Sequence, residues 1–200
     1  GPVGRGRAMR ARGLGARVIR TEVSPLRALE AIMEGYDVMP IQKAAEIGDL
    51  FITATGNKKV ITTENVLRMK DGAILANSGH FDVEVDVKAL YALAVSSREI
   101  KQNVEEISLP NGKKVILLAR GRLVNLVCAE GHPPDVRDMR LAYQALCSQM
   151  IIMNRPEKAE LMQVPKEIDD RVASMKLASM EIQIDKLTKE QEEYLKSWKV

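Results

Sequence analysis

Apolar residues along this chain fall into two patterns. Short β-branched or leucine-rich runs alternate with stretches in which apolar positions recur every three or four residues, the periods of a buried strand and of a one-faced helix. From the amino terminus, Val3 to Arg12 predicts a helix closed by Gly13 and Gly15, because glycine accepts the left-handed conformation just past a helix end. Arg17 to Glu22 predicts a strand, and Ser24 caps a helix from Pro25 to about Glu34, which Gly35 ends. The alternation continues with a strand at Tyr36 to Met39 and a helix at Ile41 to Ile47. A buried strand at Leu50 to Ala54 then runs into the turn Thr55-Gly56-Asn57. A helix near Glu64 to Met69 leads through Asp71-Gly72 into the strand Ala73 to Asn77.

Strands and helices alternating at this spacing imply βαβ units and an α/β, Rossmann-like, doubly wound parallel sheet. After a helix at Asp86 to Ala94 the pattern changes. Ile100 to Leu109 and Lys114 to Leu118 read as two strands joined at Pro110-Asn111-Gly112, and Asn-Gly between apolar runs is a strong hairpin signal. Three helices follow: about Asp135 to Met153, about Glu167 to Met180, and about Lys189 to Trp198. Pro156 and Pro165 bracket a linker. Thr188, with Gln191 three residues on, has capping-box spacing. These signals divide the chain into a sheet domain over 1–125 and a helical extension over 126–200.

A dinucleotide-binding fingerprint is a strand followed by G-x-G-x-x-G opening a helix. The chain begins G-P-V-G-R-G, so Gly1 and Gly4 have the spacing of the second and third glycines, with Val3 between them. A doubly wound sheet lacking its first strand is the corresponding expectation; a glycine-rich leader would look the same. Pro2 brings no backbone N–H to such a loop. Glu22, at the end of the second expected strand, stands where an acidic residue accepts the ribose hydroxyls of NAD and repels the 2′-phosphate of NADP. An ordinary strand-end glutamate is the alternative.

Composition changes this picture little. Of 200 residues, 46% are hydrophobic and 28% charged, with a formal charge of +3, too small an excess to point to nucleic acid. Arg5, Arg7, Arg10, Arg12 and Arg17 read as a solvated helix face, with phosphate steering as the alternative. Cys128 and Cys147 read as buried reduced thiols, without the spacing of a metal site, and no metal is expected. No apolar run approaches the ~20 residues of a membrane span, so a cytoplasmic protein with no membrane partner is expected.

Four segments carry a more specific signal: TEVSPLRALEAIMEGYDV, TATGN, NSGHFDVEVDV and GRLVNLVCAEGHP, in this order. Together they resemble the S-adenosylhomocysteine hydrolases (adenosylhomocysteinases), and the tail VPKEIDDRVASMKLASMEIQIDKLTKEQEEYLKSW resembles the end of that family's shorter prokaryotic members. The resemblance implies NAD as cofactor. It also implies reversible hydrolysis of a nucleoside thioether to adenosine and homocysteine through transient oxidation at the 3′-hydroxyl. It assigns Gly1, Val3 and Gly4 to the pyrophosphate, Glu22 to the adenosine ribose, and Thr55, Gly56 and Asn57 to the cofactor wall. Ser78, Gly79 and His80 would meet the nicotinamide side, with His80 and Phe81 beside the substrate path. Asn125 would hold the carboxamide, and His132 would reach the substrate.

The family's acid–base lysine lies in a substrate domain that precedes the fingerprint, so the chain by itself is expected to lack full activity. A homo-oligomer, formed through the exposed sheet edge or the C-terminal helices, is also expected. Arg120 stands where the family usually has an acidic residue. Arg140, Leu141 and Tyr143 replace a small polar residue, an aromatic and an asparagine. An NAD-binding module without catalysis, or a rearranged fold that binds no ligand, are the competing readings.

Overall fold

The computed structural model describes residues 1–156 and 158–197, in two compact units that meet in sequence between Gly131 and His132. The first unit begins with α1 (Pro2–Gly13), β1 (Ile19–Arg20), α2 (Pro25–Met33), β2 (Asp37–Val38) and α3 (Ile41–Ile47). It continues through β3 (Leu50–Thr53), α4 (Thr63–Arg68), β4 (Ala73–Asn77) and α5 (Val87–Leu93). The strands β5 (Ser96–Lys101), β6 (Val104–Ser108) and β7 (Lys114–Leu118) and the short helix α6 (Val124–Val127) complete it.

The strands form two sheets. β1 pairs with β2 in parallel, and a five-stranded sheet has the order β3-β4-β7-β6-β5. Within the larger sheet β3, β4 and β7 run parallel, whereas β7, β6 and β5 form an antiparallel meander. This is the expected α/β fold with a mixed sheet. Among the described residues β1 pairs only with β2 and β3 only with β4, so each keeps one unpaired edge.

Burial follows the strand chemistry. β4 (AILAN) is closed in on both faces, as its unbroken apolar run requires. Its Leu75 packs with Met69, Leu90, Ile107, Val115 and Leu117 into the core. β3 buries Phe51 and Thr53 but leaves Leu50 and Ile52 about half exposed, a pattern typical of an open edge. At the opposite edge β5 is exposed throughout and carries Arg98, Glu99 and Lys101, charges that discourage further strand pairing.

Four sequence expectations need correction. The single strand expected over Ile100 to Leu109 is two strands, because the chain turns at Gln102-Asn103. Asn103 takes the left-handed conformation (φ 62°), which asparagine tolerates better than most residues. The Arg17 to Glu22 strand shortens to Ile19–Arg20, having a partner on one side only. Ser24 stands at the start of α2 without a capping side-chain bond; its N–H donates instead to Glu22 Oε1, 3.3 Å away. Cys128 is exposed and Cys147 half-buried, so neither is the core thiol expected.

Two of the four arginines of α1, and Arg17 beyond it, are engaged. Arg5 pairs with Glu34 at 2.7 Å, and Arg12 donates to the Glu34 carbonyl at 2.6 Å while stacking 4.5 Å over the buried Tyr36 ring. Arg17 pairs with Asp37 at 2.8 Å.

In the second unit, α7 (Pro134–Met153) and α8 (Lys166–Ser179) are joined by Lys176, which reaches Asp135 at 2.6 Å and Asp138 at 3.6 Å; Val172 is buried there. α9 (Lys189–Lys196) opens on the expected capping box of Thr188 and Gln191. The expected extension of this helix to Trp198 lies outside the described residues.

Candidate functional site

Parallel strands direct their carboxyl ends to one rim, where ligands of doubly wound folds bind. At that rim the apolar strand β4 ends in Asn77, which is fully buried. Its Oδ1 accepts from Thr53 Oγ1 at 3.0 Å and from Gly79 N at 2.7 Å. Its Nδ2 donates to the carbonyls of Phe81 at 2.7 Å and Gly121 at 2.8 Å. All four hydrogen-bonding positions of the amide are used. One side chain therefore joins the end of β3, the loop after β4 and the turn at Ala119–Gly121. The backbone adds to this: Asn77 bridges in parallel to Leu123, just ahead of α6 and Asn125.

Glu84 is the second tie. Only 1% exposed, it accepts from Thr55 N (2.9 Å), Thr55 Oγ1 (2.8 Å) and Gly56 N (2.9 Å). A Cβ at Gly79 would sit 1.8 Å from Glu84 Oε1, so only glycine fits there. The exposed turn Thr55-Gly56-Asn57 and the loop Ser78-Gly79-His80 thus close on one carboxylate. His80 and Phe81, both exposed, meet edge to face at 4.6 Å between ring centroids.

Two buried side-chain atoms at this rim have no hydrogen-bond partner: Ser78 Oγ and Asn125 Oδ1. Such atoms are uncommon in folded proteins, because each forfeits its hydration without recompense.

The amino-terminal residues form a second cluster. Gly1 precedes α1, and the first intrahelical bond runs from Arg5 N to Gly1 O at 3.0 Å. The N–H groups of Val3 and Gly4 are therefore left free by helix geometry. A groove of about 530 Å³ lies here, with Gly1, Pro2, Arg5, Arg20, Arg27 and Glu30 in its lining. Glu22 accepts from Val23 N at 2.9 Å, and that bond is the chief cause of a carboxyl held below its ordinary range. The bond from Ser24 N and the Arg27 guanidinium act in the same direction, and Arg27 lines the groove at the helix start. A Cβ on Gly4 would meet nothing within 4 Å, and one on Gly1 only the Arg27 guanidinium at 3.8 Å. The close helix–sheet approach for which a fingerprint glycine is selected is not made by the described residues.

The structure thus gathers Thr55, Gly56, Asn57, Ser78, Gly79, His80 and Asn125 at one rim, and Gly1, Val3, Gly4 and Glu22 around the start of α1. His132 is exposed and belongs to the second unit. Asn77 and Glu84, which organise the rim, were not singled out from the sequence. The available signals were a polar residue closing an apolar strand and a glutamate set between two valines. Among the described residues, no cluster of His, Cys, Asp or Glu is arranged to hold a metal ion, and no helix is long and apolar enough to cross a membrane.

Residues 1–131 match the family model described as S-adenosyl-L-homocysteine hydrolase, NAD binding domain. The chain belongs to this family. NAD is accordingly the cofactor of the domain it carries. An adenosylhomocysteinase of Sulfurisphaera tokodaii is 60% identical over the whole chain, and one of Saccharolobus solfataricus is 59% identical. An S-inosyl-L-homocysteine hydrolase of Methanocaldococcus jannaschii is 56% identical over 98% of the chain. The chain spans about half the length of these curated relatives, 48%, 48% and 47% respectively.

Proposed function

We propose that this chain is the cofactor-holding part of an S-adenosyl-L-homocysteine hydrolase. In this reading it binds NAD across the carboxyl ends of β1, β3 and β4 and works with a substrate-binding segment that supplies the acid–base groups and a strand between β1 and β3. The observation that carries the reading is Asn125 Oδ1, a buried acceptor without a donor at the rim of a family NAD-binding domain. A primary carboxamide such as that of nicotinamide brings the N–H this oxygen needs, and its carbonyl is an acceptor for the Ser78 hydroxyl. The residues present fit the cofactor.

Each group then has a physical task. Glu22, kept ionised by Val23 N–H, accepts from the adenosine ribose hydroxyls and disfavours a 2′-phosphate. Val3 and Gly4 direct their free N–H groups at the pyrophosphate, with the positive end of α1 behind them. Pro2 brings no N–H, so this contact is narrower than a full glycine loop provides. Thr55, Gly56 and Asn57 wall the far half of the dinucleotide, as do Ser78 and Gly79. His80, with Phe81 against it, borders the path to the reacting centre, while His132, in the second unit, has a substrate role only through the family resemblance. NAD, when bound, supplies a hydride acceptor that is restored at the end of the cycle; the protein contributes binding, orientation and electrostatics. Without the substrate-binding segment, self-association through the open edge of β3, or in either case through the second unit's helices, belongs to the same reading.

Calorimetric titration with NAD and NADP tests the cofactor half, alone and with a separately produced substrate-binding segment of a relative. NAD is expected to bind more tightly than NADP, and homocysteine release is expected only in the mixture. Absence of NAD binding in both samples overturns the reading.

A further inference from the structure

We infer that Glu84 is the positioning residue of the cofactor wall: its buried carboxylate fixes the Thr55-Gly56 turn and the Gly79 loop in the one arrangement that admits the non-adenosine half of NAD. The inference rests on the proposed function and adds a residue that neither the sequence motifs nor the family comparison assign a role.

The burial of Glu84 is an expensive placement. A carboxylate out of water costs several kcal/mol unless hydrogen bonds replace its hydration. Glu84 receives the N–H of Thr55, the hydroxyl of Thr55 and the N–H of Gly56, all donors from one exposed turn. No basic side chain bonds to it among the described residues. The charge is met by backbone and hydroxyl dipoles alone, so those dipoles cannot turn away without stranding it.

Behind the carboxylate the backbone is clamped. Lys59 N donates to Val83 O at 2.7 Å, Val60 N to Glu84 O at 2.7 Å, and Asp86 N to Ile61 O at 3.0 Å. Glu84 is thus held rigidly on one side while it holds the turn on the other. Gly79 lies against Oε1 with no room for a Cβ, so the same carboxylate also sets the position of the second loop.

This arrangement also settles what the turn can recognise. Successive free N–H groups in a turn make an anion site. Here Thr55 N and Gly56 N are taken by Glu84, Asn57 N by Thr55 Oγ1 at 3.1 Å, and Lys58 N by its neighbour Asn57 Oδ1 at 2.9 Å. With every N–H of the turn satisfied internally, this end of the site offers no free backbone N–H to an anion. It suits the nicotinamide riboside half of the cofactor, while the phosphates fall to the free N–H groups at α1.

The test compares the unmodified chain with Glu84→Gln and Thr55→Val. Glutamine keeps the size but turns an N–H2 toward N–H donors, and valine removes the hydroxyl's bond to Glu84 together with the acceptor of Asn57 N–H. Three readouts are needed: amide exchange at Thr55 and Gly56 without ligand, affinity for NAD, and affinity for ADP, which engages only the Gly1 and Glu22 end. For Glu84→Gln we expect loss of amide protection and NAD affinity weakened on the order of tenfold or more, with ADP affinity unchanged. Thr55→Val, which keeps the fold and the charge, is expected to weaken NAD by a smaller factor with ADP again unchanged. Unchanged NAD affinity in both variants overturns this inference alone, even if their melting temperatures fall, because the carboxylate is then merely structural. Equal loss of NAD and ADP affinity overturns it too, since the effect is not local. Failure of the unmodified chain to bind NAD overturns the proposed function and this inference with it.

Discussion

Single residues at this rim act through bonds they cannot easily exchange. Asn77 uses all four of its hydrogen-bonding positions to join three segments, and Glu84 uses a buried charge to join two. Glu22 differs in being half-buried, with its carboxylate capping Val23 N–H while remaining open on the ligand side. Replacing Glu22 with alanine should weaken NAD by about 1.5–3 kcal/mol, the worth of a charged hydrogen bond, and reduce the discrimination against NADP. The sign of the pH dependence follows from its lowered pKa: the folded carboxylate stays ionised through the ordinary value of 4.5, and its contribution is lost only as pH falls further. Titrations of the parent and Glu22→Ala between pH 7 and about 4 check this. A parent affinity that already falls on approach to pH 5, with the variant's unchanged, speaks against the assignment.

Among the elements, those with a strong local code match the sequence most closely. β4 is Ala73–Asn77 as expected, α3 is Ile41–Ile47, and the hairpin at Asn111-Gly112 joins β6 to β7. Gly112 takes φ 81° with open space where a Cβ would go, so strain alone opposes a side chain. Gly112→Ala should therefore cost about 1–2 kcal/mol in chemical denaturation of the first unit, without altering NAD affinity. A larger loss would mean that the hairpin carries contacts beyond its turn. The Gln102-Asn103 turn carries a weaker local code: asparagine is a turn former, but neither glycine nor proline stands beside it.

For the molecule as a whole, the important feature is a sheet in two pieces. β1 and β3 both leave an edge open, and α2 leaves Leu26, Leu29, Ile32 and Met33 exposed despite its amphipathic sequence. Exposed edges and apolar patches of this kind favour pairing with another chain. The proposed self-association predicts that Ile52→Lys, on the open strand β3, lowers the apparent mass in light scattering and leaves the monomer folded. An unchanged mass would move the interface to the second unit, where α7 exposes Ile151, Ile152 and Met153.

The sequence by itself determined the α/β class, most element positions, the family and the cofactor. Each of these follows from local periodicity or from motifs contiguous in the chain. It also marked the turns that form the rim, because glycine, asparagine and serine after a buried strand are local signals. Only the tertiary structure decided how the turns are held together. Thr55 and Glu84 are 29 positions apart and Asn77 and Gly121 are 44 apart, so their bonds have no signature in a linear pattern. The same holds for the split sheet and for the exposed thiols. Strand pairing and burial depend on what else is packed nearby, and that is a property of the folded whole.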